Sequence, residues 1–514
     1  MMTLTLAPSA FARPAILPLG ITFADLFCGA GGSSTGLVEA GYELVLAVNH
    51  WPVAVETHAA NHRDAEHWCE NVNHVDMRRL PPADVLWASP ICTEGSPAGG
   101  RPARRSNRSD GQLAIEELGH VPQAGFEKTR ATFWDVIRAT EVRRYKAVIV
   151  ENVPDISWRW ELLDMWCQCM IRLGYRMQIL SASSAHLGDV DGNDPAPQWR
   201  NRTYFVFTRN GIALPDLAPR PPAWCPVCES VVDAAQYFKP PTKRRAGAKL
   251  ILGHPIGKYR EQYVYICPRG HAEVEPYVRP AATVIDWSNL GSRIGDRKEP
   301  LAASTMARIR AGLVKYPLGR SVVTVNHGGH DGRTFPADTS PLPSRTAKIG
   351  EGIVVPSGGT WNHTPTTTLE PMRTRLANPK GFEALVTGPD GPGAFVLEYR
   401  NHADMSPATD PLATVTAQGN HHALVVPYRN AKARPADQPI HTLATRDSAA
   451  LVRPAVEVED CWFRMLGPRE QLGAQRFPGD YRVHGNIGEQ TAQAGNAVSV
   501  NAARFIGRRL AAVL

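Results

Sequence analysis

Early in the chain the apolar positions come in short unbroken runs, the pattern of strands buried on both faces of a parallel sheet. Val85-Leu-Trp-Ala88 and Ala147-Val-Ile-Val150 are two such runs. A third strand, Phe23-Ala-Asp-Leu-Phe27, enters the turn Cys28-Gly-Ala-Gly-Gly32, and a helix is predicted from Ser33 to Ala40. Near the C-terminus, Ala502, Phe505, Ile506 and Leu510 recur at helical spacing. A helix over Gly495–Leu514 is expected to pack beside the Gly29–Gly32 turn as part of the core. Between Ala282 and Val452 the helical period fades, and short apolar strands alternate with Pro, Gly, Thr and His. Pro-led turns begin at Pro300, Pro341, Pro365, Pro411 and Pro439, and their uneven spacing argues against a regular solenoid. This stretch reads as degenerate β units, including strands at His422–Pro427 and Ala450–Val452.

Two polar residues sit at the ends of apolar runs. Cys92 follows the first strand named above and opens a loop of small residues, a suitable place for a thiolate nucleophile. Glu151 ends the second, where it can face the first strand across the mouth of a parallel sheet. The pair suggests covalent attack assisted by a proton donor. The glycine turn lets backbone approach a cofactor closely. It lacks the lysine that grips phosphate in a P-loop, so a nucleoside cofactor without phosphates fits better.

With these residues in place the chain resembles the DNA (cytosine-5)-methyltransferases. Asp25-Leu-Phe-Cys-Gly-Ala-Gly-Gly32 is similar to the family's S-adenosyl-L-methionine loop, and Asp76 to the acid that binds the adenine amine. Pro90-Ile-Cys92 resembles the nucleophile loop, and Glu151-Asn-Val153 the motif whose glutamate grips the target base. Pro197-Gln-Trp-Arg-Asn-Arg202 resembles the paired-arginine strand. Arg464–Glu470 with Gln475-Arg-Phe-Pro478 resembles the supporting helix, and Gly495-Asn-Ala-Val498 the segment that returns to the cofactor pocket.

The resemblance implies a Rossmann-like α/β methyltransferase domain with a large, mainly β target-recognition domain. Cys92, Glu151, Arg200 and Arg202 would be catalytic. Asp25, Phe27, Gly29, Gly31, Gly32, Asn49, His50, Asp76, Met77, Pro90, Asn496 and Val498 would hold the cofactor. The Cys92 thiolate would add to carbon 6 of a cytosine flipped out of double-stranded DNA. Glu151 would stabilise charge on the ring, and Arg200 or Arg202 would bind the base carbonyl and orient Glu151. Three departures stand out. Ile91 and Thr93 flank the cysteine where Pro and Gln are usual, Asn49 replaces an acid that accepts from the ribose, and Ser499-Val500 stands where a proline is commoner. Asn accepts a hydrogen bond without the charge assistance of a carboxylate.

Composition refines this picture. The chain has 514 residues and a net charge of +7, enough for several domains and suited to a polyanionic partner. Arg101, Arg104, Arg105 and Arg108 in the loop after Cys92 suit a lid that closes on phosphates. No apolar run approaches a membrane span, residues 1–20 do not read as a signal peptide, and nine scattered cysteines suit a reducing cytoplasm. Cys225-Pro-Val-Cys228 and Cys267-Pro-Arg-Gly-His271 have the spacing of a zinc ribbon, which would fill all four positions of a structural Zn2+.

The expected division is a catalytic part at 1–208, a zinc-ribbon-like part at 209–281, a β-rich recognition part at 282–456, and the rest of the catalytic domain at 457–514. Arg400-Asn401 and Arg429-Asn430 suit base edges and phosphates. A monomer is the family's default. Rival readings are a tRNA cytosine-5 methyltransferase, a pyrimidine-modifying enzyme acting on free nucleotides, and a catalytically weakened DNA-binding relative. The long recognition region speaks against the first.

Overall fold

The fold was analysed from a computed structural model. It describes residues 11, 14, 16–90, 123–188, 194–242, 247–315, 321–324, 334–342, 351–355, 395–396, 406–407, 424–427, 449–452 and 458–514. Cys92, the arginine-bearing loop behind it and both Tyr-Arg-Asn tips lie outside these residues.

Seven strands form the principal sheet: β1 (Thr22–Leu26), β2 (Glu43–Asn49), β3 (Glu66–Cys69), β4 (Val85–Ala88), β5 (Ala147–Asn152), β6 (Tyr175–Ser183) and β7 (Asn201–Arg209). Their order is β3-β2-β1-β4-β5-β7-β6. Strands β1 to β5 run parallel, and β7 lies antiparallel between β5 and β6. Chain order reverses between β1 and β4, so a crevice opens at their carboxyl ends. This is the Rossmann-like α/β arrangement expected from the sequence.

Alternation within the strands assigns the two faces. Ala24, Leu26, Leu86, Ala88, Val148 and Val150 enter one core, whereas Phe23, Val85, Trp87, Ala147 and Ile149 enter the other. Helices flank this sheet: α1 (Gly32–Glu39), α2 (Pro52–Asn61), α3 (Gln123–Arg143), α4 (Ile156–Arg159) and α5 (Leu163–Arg172). Trp166 of α5 and Phe133 of α3 meet edge to face in the first core.

Residues 222–277 form small antiparallel ladders. In β8 (Pro222–Cys225) and β9 (Ser230–Asp233) a hairpin carries the first cysteine pair. Strand β10 (Ala235–Phe238) pairs with β13 (Tyr263–Ile266), and β11 (Lys249–Ile251) with β12 (His254–Ile256). A second, five-stranded antiparallel sheet has the order β14-β22-β17-β15-β16. Its members are β14 (Ser292–Arg293), β15 (Ser321–Thr324), β16 (Thr334–Pro336), β17 (Glu351–Val355) and β22 (Trp462–Met465), with helix α6 (Ala303–Lys315) between the first two. Strand β18 (Phe395–Val396) pairs with β19 (Ser406–Pro407). The two valine-rich strands read from the sequence pair with each other, as β20 (Leu424–Pro427) and β21 (Ala449–Val452).

Two elements differ from the sequence-based expectation. Arg464 sits in β22, and only Pro468–Gly473 is helical (α7), so the five-stranded sheet includes residues beyond 456. The C-terminal helix is two helices, α8 (Ile487–Asn496) and α9 (Val500–Ala511). Ala497 and Ser499 between them have extended dihedrals. The break carries the chain across the glycine turn, which a continuous helix could not do. Helix α9 then packs on α1 so closely that a Cβ at Gly36 would lie 2.4 Å from the Val500 carbonyl oxygen. Among the described residues no helix is long and apolar enough to cross a membrane.

Candidate active site

The turn after β1 is built around a buried carboxylate. Asp25 Oδ2 accepts hydrogen bonds from Ser33 Oγ at 2.6 Å and Ser34 Oγ at 2.7 Å. Burial pushes the Asp25 carboxyl up to about 7, and the two serine hydroxyls oppose that shift. Its Oδ1 is buried with no hydrogen-bond partner among the described residues. Phe27, Gly29 and Gly31 adopt positive φ of 62°, 53° and 86°, which turns the chain sharply into α1. A Cβ on Gly29 would meet nothing within 4 Å, so that side of the turn is open to a ligand. The opposite side is closed: a Cβ on Gly32 would stand 1.9 Å from the Val498 carbonyl oxygen. Tyr481 Oη donates to Ala30 O at 2.5 Å and supports the same turn.

An open glycine turn and an unmatched buried carboxylate oxygen fit a polar nucleoside-type cofactor. The other expected cofactor residues have different environments. Asn49 ends β2, is nearly buried, and its Oδ1 accepts from the Trp51 N–H at 2.9 Å. His50 beside it is exposed. Asp76 is also exposed and is engaged locally: it caps a short turn through the Arg78 N–H and holds the Arg78 guanidinium at 2.8 Å. That contact lowers its carboxyl to about 2. Met77 is buried in the core beneath the sheet, Asn496 is exposed at the end of α8, and Val498 is buried.

At the carboxyl end of β5 a second polar group forms. Glu151 is 8 % exposed, and its Oε1 lies 2.8 Å from Arg202 Nε. Glu151 is registered against Tyr204, so Arg202 lies two residues further along the neighbouring antiparallel strand. The next residue, Asn152, donates through Nδ2 to the carbonyl of buried Pro90 at 3.0 Å. The chain that leads into Cys92 is thereby pinned beside the residue that follows Glu151. Arg200 occupies a different place: its guanidinium donates to Ala497 O at 2.6 Å and to Gly495 O at 3.3–3.4 Å. Of the two arginines the sequence offered as partners for Glu151, Arg202 makes the ion pair. Arg200 fastens the extended segment that backs the glycine turn.

The family model of the C-5 cytosine-specific DNA methylases matches this chain at residues 21–221 and 394–512, more than half of it. The chain belongs to that family. The type II methyltransferase M.AgeI of Thalassovita gelatinovora is 28% identical over 198 residues, covering 36% of this chain and 39% of the relative. A DNA-cytosine methyltransferase of Escherichia coli K12 is 26% identical over 266 residues, covering 47% and 52% respectively. The chain thus spans about half the length of these relatives or less. The S. pombe Dnmt2 methyltransferase structure overlaps 96% of this chain and 98% of its own at 12% identity, with a TM-score of 0.41. The sheet order, not that overlap, defines the fold of this chain.

Other polar groups near the site have no role in the sequence reading. Ser33 and Ser34 hold Asp25, Asn152 holds Pro90, and Asn201 Oδ1 accepts from the Tyr259 N–H at 3.0 Å. Their signal was position: each lies within or next to a recognised motif. Ser499 replaces the usual proline and receives a hydrogen bond from Ser184 Oγ at 2.9 Å. A buried ion pair, Arg476 with Glu39 at 2.8 Å, ties the segment after α7 to α1.

Away from the sheet's mouth, Cys225, Cys228, Cys267 and His271 converge, with all ligand-type atoms within 4.8 Å of one another. Cys228 Sγ is 3.2 Å from His271 Nδ1 and 3.7 Å from Cys267 Sγ, and Cys225 Sγ is 4.0 Å from the same nitrogen. Zinc bonds of about 2.3 Å to sulfur and about 2.0 Å to nitrogen give tetrahedral edges close to these spacings.

Proposed function

We propose that this chain methylates carbon 5 of a cytosine extruded from double-stranded DNA, using Cys92 as nucleophile and Glu151 as the group that holds the ring. The observation that supports it best is the Glu151–Arg202 pair standing next to the Asn152–Pro90 contact. That arrangement brings the stem of the Cys92 loop and a base-holding carboxyl to the same crevice. S-adenosyl-L-methionine, when bound, supplies an electrophilic methyl on a sulfonium. Asp25, Gly29 and the turn backed by Val498 would hold it.

The Cys92 thiolate adds to carbon 6 of the base. The displaced electron pair is drawn toward ring N3, which shares a proton with the Glu151 carboxyl, leaving an enamine nucleophilic at carbon 5. Arg202 keeps Glu151 aimed through its Nε–H contact. Carbon 5 would then accept the methyl that the cofactor supplies when bound, the electron pair of the carbon–sulfur bond remaining on sulfur. Loss of the carbon 5 proton to solvent water re-forms the carbon 5–carbon 6 double bond and expels the Cys92 thiolate, and the proton shared at N3 returns to Glu151, which restores aromaticity. Extrusion comes first because both carbons are stacked inside the duplex.

Residues 209–281 and the sheets that follow form the recognition side of this reading, with a structural Zn2+ held by Cys225, Cys228, Cys267 and His271. The ion would have no open coordination position, so it takes no part in the chemistry. The type II names of the relatives accord with a role in restriction-modification, in which the methyl mark shields a DNA site.

DNA carrying 5-fluorocytosine, with S-adenosyl-L-methionine, tests the reaction, because fluorine cannot leave as a proton does. A denaturation-stable adduct is expected with the protein and none with Cys92→Ser. An adduct that persists in Cys92→Ser, or one formed on tRNA in preference to duplex DNA, would overturn the assignment.

A further inference from the structure

Strand β6 lies at the edge of the principal sheet, and an edge strand needs partners for its outward backbone groups. The cysteine-bearing module supplies them. Ser183 N–H donates to Tyr263 Oη at 3.0 Å, and Gln236 Nε2 donates to Ser181 O at 2.7 Å. Ser181 Oγ donates to Gly257 O at 2.7 Å and accepts from Gly257 N at 3.1 Å. These contacts dock the module. Two more reach the segments that carry Glu151 and Arg202.

Lys258 Nζ lies 3.0 Å from Asp155 Oδ1, four residues beyond Glu151 on the same segment, and both side chains are largely buried. The adjacent Tyr259 N–H donates to Asn201 Oδ1, one residue before Arg202. Successive residues of one turn therefore grip the two segments that carry Glu151 and Arg202. That turn is closed by the Gln262 and Tyr263 N–H groups, which both donate to Lys258 O. Tyr259 also stacks on Trp199 with ring centroids 5.5 Å apart. Its hydroxyl donates to Glu275 Oε2 at 2.6 Å, four residues past His271. From the Cys/His cluster the connection runs along the chain from His271 to Glu275, then by hydrogen bonds through Tyr259 to Asn201, the residue before Arg202.

We infer that the Cys225–His271 module is a positioning device for the Glu151–Arg202 pair, acting through Lys258 on Asp155 and through Tyr259 on Asn201. It rests on the cytosine-methylating reading of that pair. A misplacement of about 1 Å costs on the order of a hundredfold in rate, and loss of one of two grips is expected to cost about tenfold. Lys258 and Tyr259 act through other residues and need not touch the base.

The test uses the full chain with its metal content measured. Lys258→Met is expected to keep its metal, its DNA affinity and its cofactor affinity, and to form the 5-fluorocytosine adduct about tenfold more slowly at saturating substrates. Lys258→Arg, which restores the cation, is expected to recover most of the rate. Unchanged adduct formation in Lys258→Met would overturn the inference, as would a defect confined to DNA affinity. A second measurement needs no turnover: hydrogen exchange of peptides covering 151–155 and 200–203, before and after a chelator removes the metal. Faster exchange supports the coupling, and unchanged exchange refutes it. If the wild-type chain forms no adduct with 5-fluorocytosine-containing DNA, the reaction assignment fails while the exchange result still judges the coupling.

Discussion

The two ends of the crevice are held in different ways. At the glycine turn the fit is made by backbone: Gly32 meets the Val498 carbonyl, and α1 meets α9, with no room for one added carbon. At the end of β5 the fit is made by side chains: Glu151 by Arg202, and their neighbours by Asn152, Asn201 and Lys258. A backbone contact between packed helices belongs to the stability of the domain as a whole. A set of side-chain hydrogen bonds can be altered with little effect on the fold. Damage at the first end should therefore appear as lost stability, and damage at the second as lost rate.

The largest expected effect concerns Asp25. Its native carboxyl, raised by burial to about 7, stays protonated at pH values where the unfolded chain, at 3.8, has ionised. The native state then binds the extra proton. Stability from this group is fully present below the unfolded value and declines as pH rises through the window up to about 7. Relative to Asp25→Asn, the wild-type protein should lose on the order of 4 kcal/mol across that window. Denaturant unfolding of both proteins from pH 4 to 8 measures the difference. Parallel curves would mean that the carboxyl is not isolated from solvent as the fold implies.

Next in size is Gly32→Ala, whose methyl has no space against Val498. Overpacking of this kind costs about 3 kcal/mol. Thermal unfolding and cofactor titration should register it together, because the turn and the packing share one surface. Glu151→Gln sharpens the contrast from the other side. It should keep the melting temperature within a few degrees and lower kcat about a hundredfold, or about 2.7 kcal/mol in the barrier. Should Glu151→Gln instead unfold the protein, the distinction between the two ends would be lost.

Much of this arrangement could be read from the chain alone. The buried runs at Val85 and Ala147 announced strands, and the residues that follow them, Pro90 and Glu151, stand at the crevice because parallel strands end on one edge. The Cys/His quartet was legible because knuckle spacing is local. What could not be read depends on contacts between distant segments. Arg200 and Arg202 are the same residue type two positions apart, and only the packing of Ala497 against one and Glu151 against the other separates them. The extended link at 497–499 was hidden because Ala497, Val498 and Val500 continue an apolar pattern that a helix could also use. Arg464 was read into a helix, since nothing local shows that its neighbours pair with β17. The contact of Asp76 with Arg78 was likewise not legible, because it is a matter of side-chain geometry.

The meeting of Gly32 with Val498 joins segments that leave the ribosome far apart in time. Until residues 498–511 have been made, α1 has no surface to lean on and the cofactor turn lacks its rear wall. Contacts of such long sequence separation form late and leave apolar surface uncovered meanwhile. A growing chain can thus complete its β1–β7 sheet and dock its cysteine module before the glycine turn gains its rear wall, so the shape of that turn is settled only after residue 498 has been added.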